Sequence, residues 1–191
     1  MFDILAFFFC AYGIGMLPLS YWYGKYRYNQ EIEDYGPGSI GPIKLLRIVG
    51  PQGMIIAGTA EGAKGFLVAF IGYLLHIEAL YLWCALLLLM IGHGWSPLLQ
   101  GRGGNSWLPF SGYLFLIEPS LAQLSLALAL SILLLTRLPS LGATISVFLT
   151  SLIVPFWSIG LELILILWIA TMILLLQNWL VYNHRLDSSK I

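Results

Sequence analysis

Residues 54–75 read MIIAGTAEGAKGFLVAFIGYLL, an apolar run that nevertheless contains Glu61 and Lys64. The run is long enough to cross the hydrocarbon core of a bilayer as a helix, which takes ~20 residues. Three positions apart, Glu61 and Lys64 share one face of that helix. An ionisable pair at that depth is costly and marks a functional interior. The competing reading is a mutually neutralising strut that orients the neighbouring loops. Sequence alone leaves both open.

Six further apolar spans lie around this one, at 3–23, 77–92, 107–118, 121–136, 140–157 and 161–182. The fourth span in chain order, 107–118, is short and bounded by Trp107 and Pro119, so it is expected to cross obliquely or only partly. Trp22, Trp95, Trp107, Trp157 and Trp179 sit near predicted span ends, where an aromatic belt would anchor. With 59% apolar and 9% charged residues, the composition excludes the surface-to-core mixture of a soluble domain. The expected fold is an all-α integral membrane protein, one domain over 1–191 built as a seven-transmembrane-helix bundle. The first span has no basic stretch before it and runs too long for a cleavable signal, so it reads as a retained anchor.

The charges orient the bundle. Of the nine Lys and Arg, eight (Lys25, Arg27, Lys44, Arg47, Arg102, Arg137, Arg185 and Lys190) fall in odd-numbered loops or the C-terminal tail. The even-numbered loops hold Glu78, Glu118 and Glu162 and no Lys or Arg. This positive-inside pattern predicts the N-terminus outside and the C-terminus cytoplasmic. A bacterial inner membrane is the expected location.

Net charge is zero, so no long-range field for nucleic acid is implied. Cys10 and Cys84 lie inside apolar spans and offer no disulfide framework. No His, Cys and carboxylate set stands at metal-ligand spacing, and there is no G-x-S-x-G elbow or Walker loop. Neither a metal nor a cofactor is expected.

The polar connections carry the remaining signal. The stretch from Gly36 to Gly50 reads GPGSIGPIKLLRIVG, within a long connection at 24–53. Gly36, Gly38 and Gly41 let backbone N–H groups approach an anion, and Lys44 and Arg47 add positive charge just downstream. The second connection, HGWSPLLQGRGGNS at 93–106, repeats the recipe with Gly101, Arg102, Gly103 and Gly104. Both fall on the predicted cytoplasmic side, as do His184 and Arg185 at the end of the last span. One shared anionic site follows, with His93 as a possible proton donor or base.

These residues resemble a family. GPGSIGPIKLLRIVG is similar to the first motif, roughly GSGNxGATNVLRxxG, of the bacterial acyl-phosphate:glycerol-3-phosphate acyltransferases, the PlsY family. Glu61-Gly62-Ala63-Lys64-Gly65 resembles the family's D-x-x-K-G. Gly92-His93-Gly94-Trp95 followed by Gly101–Ser106 resembles its G-H-x-F and F-K-G-G-K-G. Asn183-His184-Arg185 is similar to a family ending near H-R-x-N-I. The resemblance implies transfer of an acyl chain from acyl phosphate to the 1-hydroxyl of glycerol 3-phosphate, with membrane lipids around the site. It implies catalytic roles for His93, Arg102 and His184. Substrate binding would fall to Gly36, Gly38, Ser39, Gly41, Lys44, Arg47, Glu61, Lys64, Gly103, Gly104, Asn105 and Arg185.

The chain departs from the family pattern at several of these positions. Pro37 stands for a Ser, Ser39 for an Asn, Ile43 for a Thr, Lys44 for an Asn, Asn105 for a Lys and Ser106 for a Gly. In the tail, Asp187 stands for an Asn. Losing a charge-assisted phosphate contact costs ~1.5–3 kcal/mol, so Pro37 and Asn105 predict little or no turnover. Two readings follow: an acyltransferase with a rearranged phosphate pocket, or an inactive paralogue serving as a structural or lipid-binding subunit beside other membrane proteins. A transporter would call for internal pseudo-symmetry, which the sequence lacks.

Overall fold

A computed structural model describes residues 2–29, 40–157 and 161–188, and every regular element among them is helical. The order is α1 (Phe2–Met16), α2 (Leu19–Tyr28), α3 (Pro42–Val49), α4 (Pro51–Leu74), α5 (Ala79–Gly94), α6 (Trp107–Ile117), α7 (Pro119–Thr136), α8 (Pro139–Ile153) and α9 (Leu161–Ser188). Helices α3, α4, α7 and α8 each open on a proline, whose fixed φ suits the first turn and whose missing N–H costs nothing there.

Among the described residues, five stretches are long and apolar enough to cross a membrane: Asp3–Tyr28, Pro51–Leu74, Ala79–Leu99, Pro119–Thr136 and Leu161–Asn183. Helices α6 and α8 are apolar but have only 11 and 15 residues. At ~1.5 Å per residue neither covers the ~30 Å hydrocarbon core. The short span expected at 107–118 is thus a helix too short to cross alone. The span expected at 140–157 is shorter than the sequence suggested, because α8 stops at Ile153 and residues 154–157 form a tighter 3-10 turn containing Pro155.

The first span differs most from expectation. It is not one helix over 3–23: the chain breaks at Leu17 and Pro18, then resumes as α2 and runs on to Tyr28. Pro18 has no N–H to continue the ladder and disfavours helical backbone at Leu17. The connection at 24–53 also holds an unexpected helix, α3. It turns Leu45 into the protein and leaves Ile43, Leu46 and Arg47 exposed.

Helix α4 is the hub, packing against α6 most extensively and also against α1, α2, α3 and α5. The α4–α6 seam depends on glycine. A Cβ at Gly65 would strike the Pro109 carbonyl, and one at Gly112 would strike the Gly62 carbonyl, so the two backbones touch. The main core gathers Leu86, Leu89 and Met90 of α5, Phe110 and Tyr113 of α6, and Leu167 and Leu174 of α9. A smaller cluster of Ile40, Leu45, Ala57 and Leu99 fastens α3 and α4 to the second glycine-rich connection. Outward, Phe9, Leu134, Leu135 and Met172 are mostly exposed, the apolar exterior that lipid tails cover.

Candidate functional site

The site is built around the break in the first span. A broken helix leaves carbonyls unpaired at one end and N–H groups at the other, and in a membrane each needs a partner. Lys64 supplies one side: its Nζ donates to the carbonyls of Gly15, at 3.1 Å, and Leu17, at 2.7 Å. Glu61 supplies the other. Its Oε1 accepts from the Ser20 backbone N–H at 2.9 Å and from the Ser20 hydroxyl at 2.7 Å. Glu61 Oε2 lies 2.6 Å from Lys64 Nζ, and both side chains are about 97% or more buried (1% and 3% exposed). The acid and base that share a face of α4 therefore close the two ends of the break while neutralising each other.

His93, near the end of α5, joins this cluster. Its Nδ1 is 2.9 Å from Lys64 Nζ and 3.5 Å from Glu61 Oε2. With Nδ1 accepting from Lys64, the hydrogen-bond network assigns the ring proton to Nε2, and a hydrogen bond joins the ring to the Asn105 backbone. His93 is buried, and both sides of its ring are engaged by the protein.

The second glycine loop closes over His93. Gly104 N–H donates to the His93 carbonyl at 3.3 Å, and a Cβ at Gly104 would sit 2.6 Å from His93 Nε2 and 2.8 Å from the Ile40 carbonyl. Ile40 N–H donates to the Gly103 carbonyl at 3.2 Å, so the two glycine-rich connections meet beside Gly41. Ser96 anchors the start of the loop by donating from Oγ to the Met16 carbonyl at 2.5 Å. Between these parts lies a small cavity lined by Leu17, Ser20, Glu61, His93, Gly103 and Gly104 among others. It offers about 10 Å³ to the centre of a water, room for roughly one molecule.

Several expected site residues do not line this cavity. Arg102 is exposed in the loop, Arg47 is exposed on α3, and Lys44 is half-buried one turn before Arg47. Gly36, Pro37, Gly38 and Ser39 lie outside the described residues, as do the side chains of His184 and Arg185, although α9 runs through both positions. Among the described residues, no group of His, Cys, Asp and Glu is arranged to hold a metal ion.

Asn105 is turned inward. Its Oδ1 accepts from Trp107 N–H at 3.0 Å, capping the start of α6, and its Nδ2 donates to Asn178 Oδ1 at 3.3 Å. The sequence reading missed the partners on α9. Asn178 donates onward to Thr144 Oγ1 at 2.7 Å and to the Ser140 carbonyl at 3.2 Å. Gln177 accepts from Ser106 N–H at 3.0 Å and donates to Ser106 Oγ at 2.8 Å. Two amides side by side in an apolar span were the available signal, since polar side chains at membrane depth seek partners in the bundle.

Comparison with known proteins bears on what this arrangement does. A family model described as glycerol-3-phosphate acyltransferase matches residues 5–191. Glycerol-3-phosphate acyltransferase 1 of Deinococcus radiodurans is 29% identical over 187 residues, covering 95% of this chain and 88% of the relative. The glycerol-3-phosphate acyltransferase of Thermoanaerobacter sp. (strain X514) is 31% identical over 150 residues, covering 78% and 75%. Among solved structures, the glycerol 3-phosphate form of PlsY, an integral membrane glycerol 3-phosphate acyltransferase, superposes with a TM-score of 0.86 at 20% identity, covering 97% of this chain and 93% of that one. Its lysophosphatidic acid form gives 0.83 at 19% identity. At that identity the structural likeness establishes the fold.

Proposed function

We propose that this chain, which belongs to the glycerol-3-phosphate acyltransferase family, transfers an acyl group from acyl phosphate to glycerol 3-phosphate at the inner membrane of a bacterium. The N-terminus lies outside, the C-terminus lies in the cytoplasm, and seven segments traverse or enter the bilayer. The observation that carries the reading is the meeting of the two glycine-rich connections at Ile40 and Gly103, with Arg102 exposed beside them. That junction brings the glycine backbone of both connections and a fixed cation together where two phosphorylated substrates would approach.

The chemistry asks little covalent work of the protein. The 1-hydroxyl of glycerol 3-phosphate attacks the acyl carbonyl, an ester bond forms, the carbonyl–phosphate bond breaks, and inorganic phosphate leaves with the hydroxyl proton. Such a step is accelerated by holding two anions together and stabilising charge as it develops. Arg102 and Arg47 are assigned to the phosphates, together with Arg185 and His184. His93, Glu61 and Lys64 hold the floor of the site in shape.

The inward turn of Asn105 favours a second reading, an inactive lipid-binding or structural subunit, because its amide is occupied where the family pattern carries a Lys. Purified protein assayed with acyl phosphate and glycerol 3-phosphate separates the two. Slow but measurable lysophosphatidic acid formation supports the enzyme. No product, together with co-purifying membrane subunits, supports the paralogue.

A further inference from the structure

We propose that Gln177 of α9 is a positioning residue that sets the register of the second glycine loop. Gln177 is buried at 6% exposure, and its amide grips Ser106 twice, through the backbone N–H and through the hydroxyl. Ser106 passes the grip on, its Oγ donating to the Met90 carbonyl at 2.7 Å in the last turns of α5. Gln177 also lies against Gly94, where a Cβ would strike the Gln177 amide. The next residue, Asn178, accepts a single hydrogen bond from the Asn105 side chain at 3.3 Å and is itself fixed to Thr144 and Ser140 of α8.

The pairing is one to one: Gln177 with Ser106, and Asn178 with Asn105. These two loop residues depart from the family pattern of F-K-G-G-K-G, as Gly101 and Arg102 also do, and neither the Lys nor the Gly they replace offers the same neutral hydrogen-bond set. Gly103 and Gly104 stand two residues and one residue upstream of this double anchor and rest on His93, Gly94 and Ile40. A slip of the anchor by one residue would carry Gly104 off His93 and break the Ile40–Gly103 hydrogen bond that joins the two glycine-rich connections. The register of the anion-facing backbone is thus set from the C-terminal helix by neutral amides that never touch substrate.

The inference rests on the acyltransferase reading only for its effect on kinetics. Its test is hydrogen–deuterium exchange by mass spectrometry on the full chain in lipid nanodiscs, comparing wild type with Gln177→Met, which keeps the side-chain length and removes both polar atoms. Backbone exchange within 101–106 is expected to rise roughly tenfold, the size of one or two neutral hydrogen bonds, while exchange in α7 and α8 stays unchanged. Ser106→Ala is expected to loosen the same segment, and adding it to Gln177→Met is expected to give less than the product of the two effects. Where wild type turns over, Gln177→Met is expected to raise KM for glycerol 3-phosphate with kcat changed less. Unchanged exchange at 101–106 in both single variants overturns the proposal, and so does a uniform rise across all helices, which marks general destabilisation. A loosened loop in a chain whose wild type makes no lysophosphatidic acid sustains this inference while refuting the proposed activity.

Discussion

Two stretches of irregular backbone lie close together in this molecule, and they are held in opposite ways. The break at Leu17 and Pro18 is closed by charges, with Lys64 on the carbonyls of Gly15 and Leu17 and Glu61 on the Ser20 N–H. The loop ending at Ser106 is closed by neutral groups, with Gln177 and Asn178 on Ser106 and Asn105. The difference teaches where each device suits. A break inside a transmembrane span exposes several unpaired groups of both polarities at once, and one ion pair answers both ends. A loop at the end of the bundle is irregular over a longer stretch, and two neutral amides hold it at Asn105 and Ser106.

The two devices should fail differently. Removing one member of the charged clamp leaves its partner buried and unpaired, so Lys64→Met is expected to lower unfolding stability by about 3–5 kcal/mol. The double variant Glu61→Gln/Lys64→Met should lose less than this single change, because no lone charge remains. Thermal unfolding in detergent with both proteins side by side checks the ordering, and a double variant less stable than Lys64→Met would break the comparison. On the neutral side, Asn178→Leu removes contacts to Asn105, Thr144 and Ser140, and is expected to cost about 1–2 kcal/mol. Smallest of all should be Ser125→Ala. The Ser125–Ser146 contact is long at 3.4 Å and ties no irregular backbone, so a loss below about 0.6 kcal/mol is expected. A larger loss there would show that stability follows buried polarity in general and not the closing of broken backbone.

Much of this architecture was legible in the sequence. Runs of ~20 apolar residues announce membrane helices, and among the described residues five stretches are long and apolar enough to cross, while 107–117 and 139–153 hold shorter apolar helices. The Glu61–Lys64 pair stood out because charge is rare in such runs, although spacing alone did not say that it would clamp α1 and α2. Pro18 was in plain view, but the apolar residues on both sides continue the hydropathy signal across it, so the break was invisible to a window average. Helix α3 hid inside a connection whose glycines and prolines suggested a loop. Asn105 was judged by the Lys it replaces, and its partner on α9, Asn178, stands 73 residues away, beyond the reach of local pattern. The meeting of the two glycine-rich connections was anticipated because both fell on the side richest in Lys and Arg.

Acyl transfer itself is decided by one assay. Purified protein in lipid nanodiscs is supplied with acyl phosphate and radiolabelled glycerol 3-phosphate, and labelled lysophosphatidic acid is counted beside an Arg102→Ala control. Product formed by the native chain, with kcat/KM reduced about tenfold to a hundredfold in Arg102→Ala, is the expected result for a charge-assisted phosphate contact. Native protein that yields no more product than a protein-free blank would contradict the assignment.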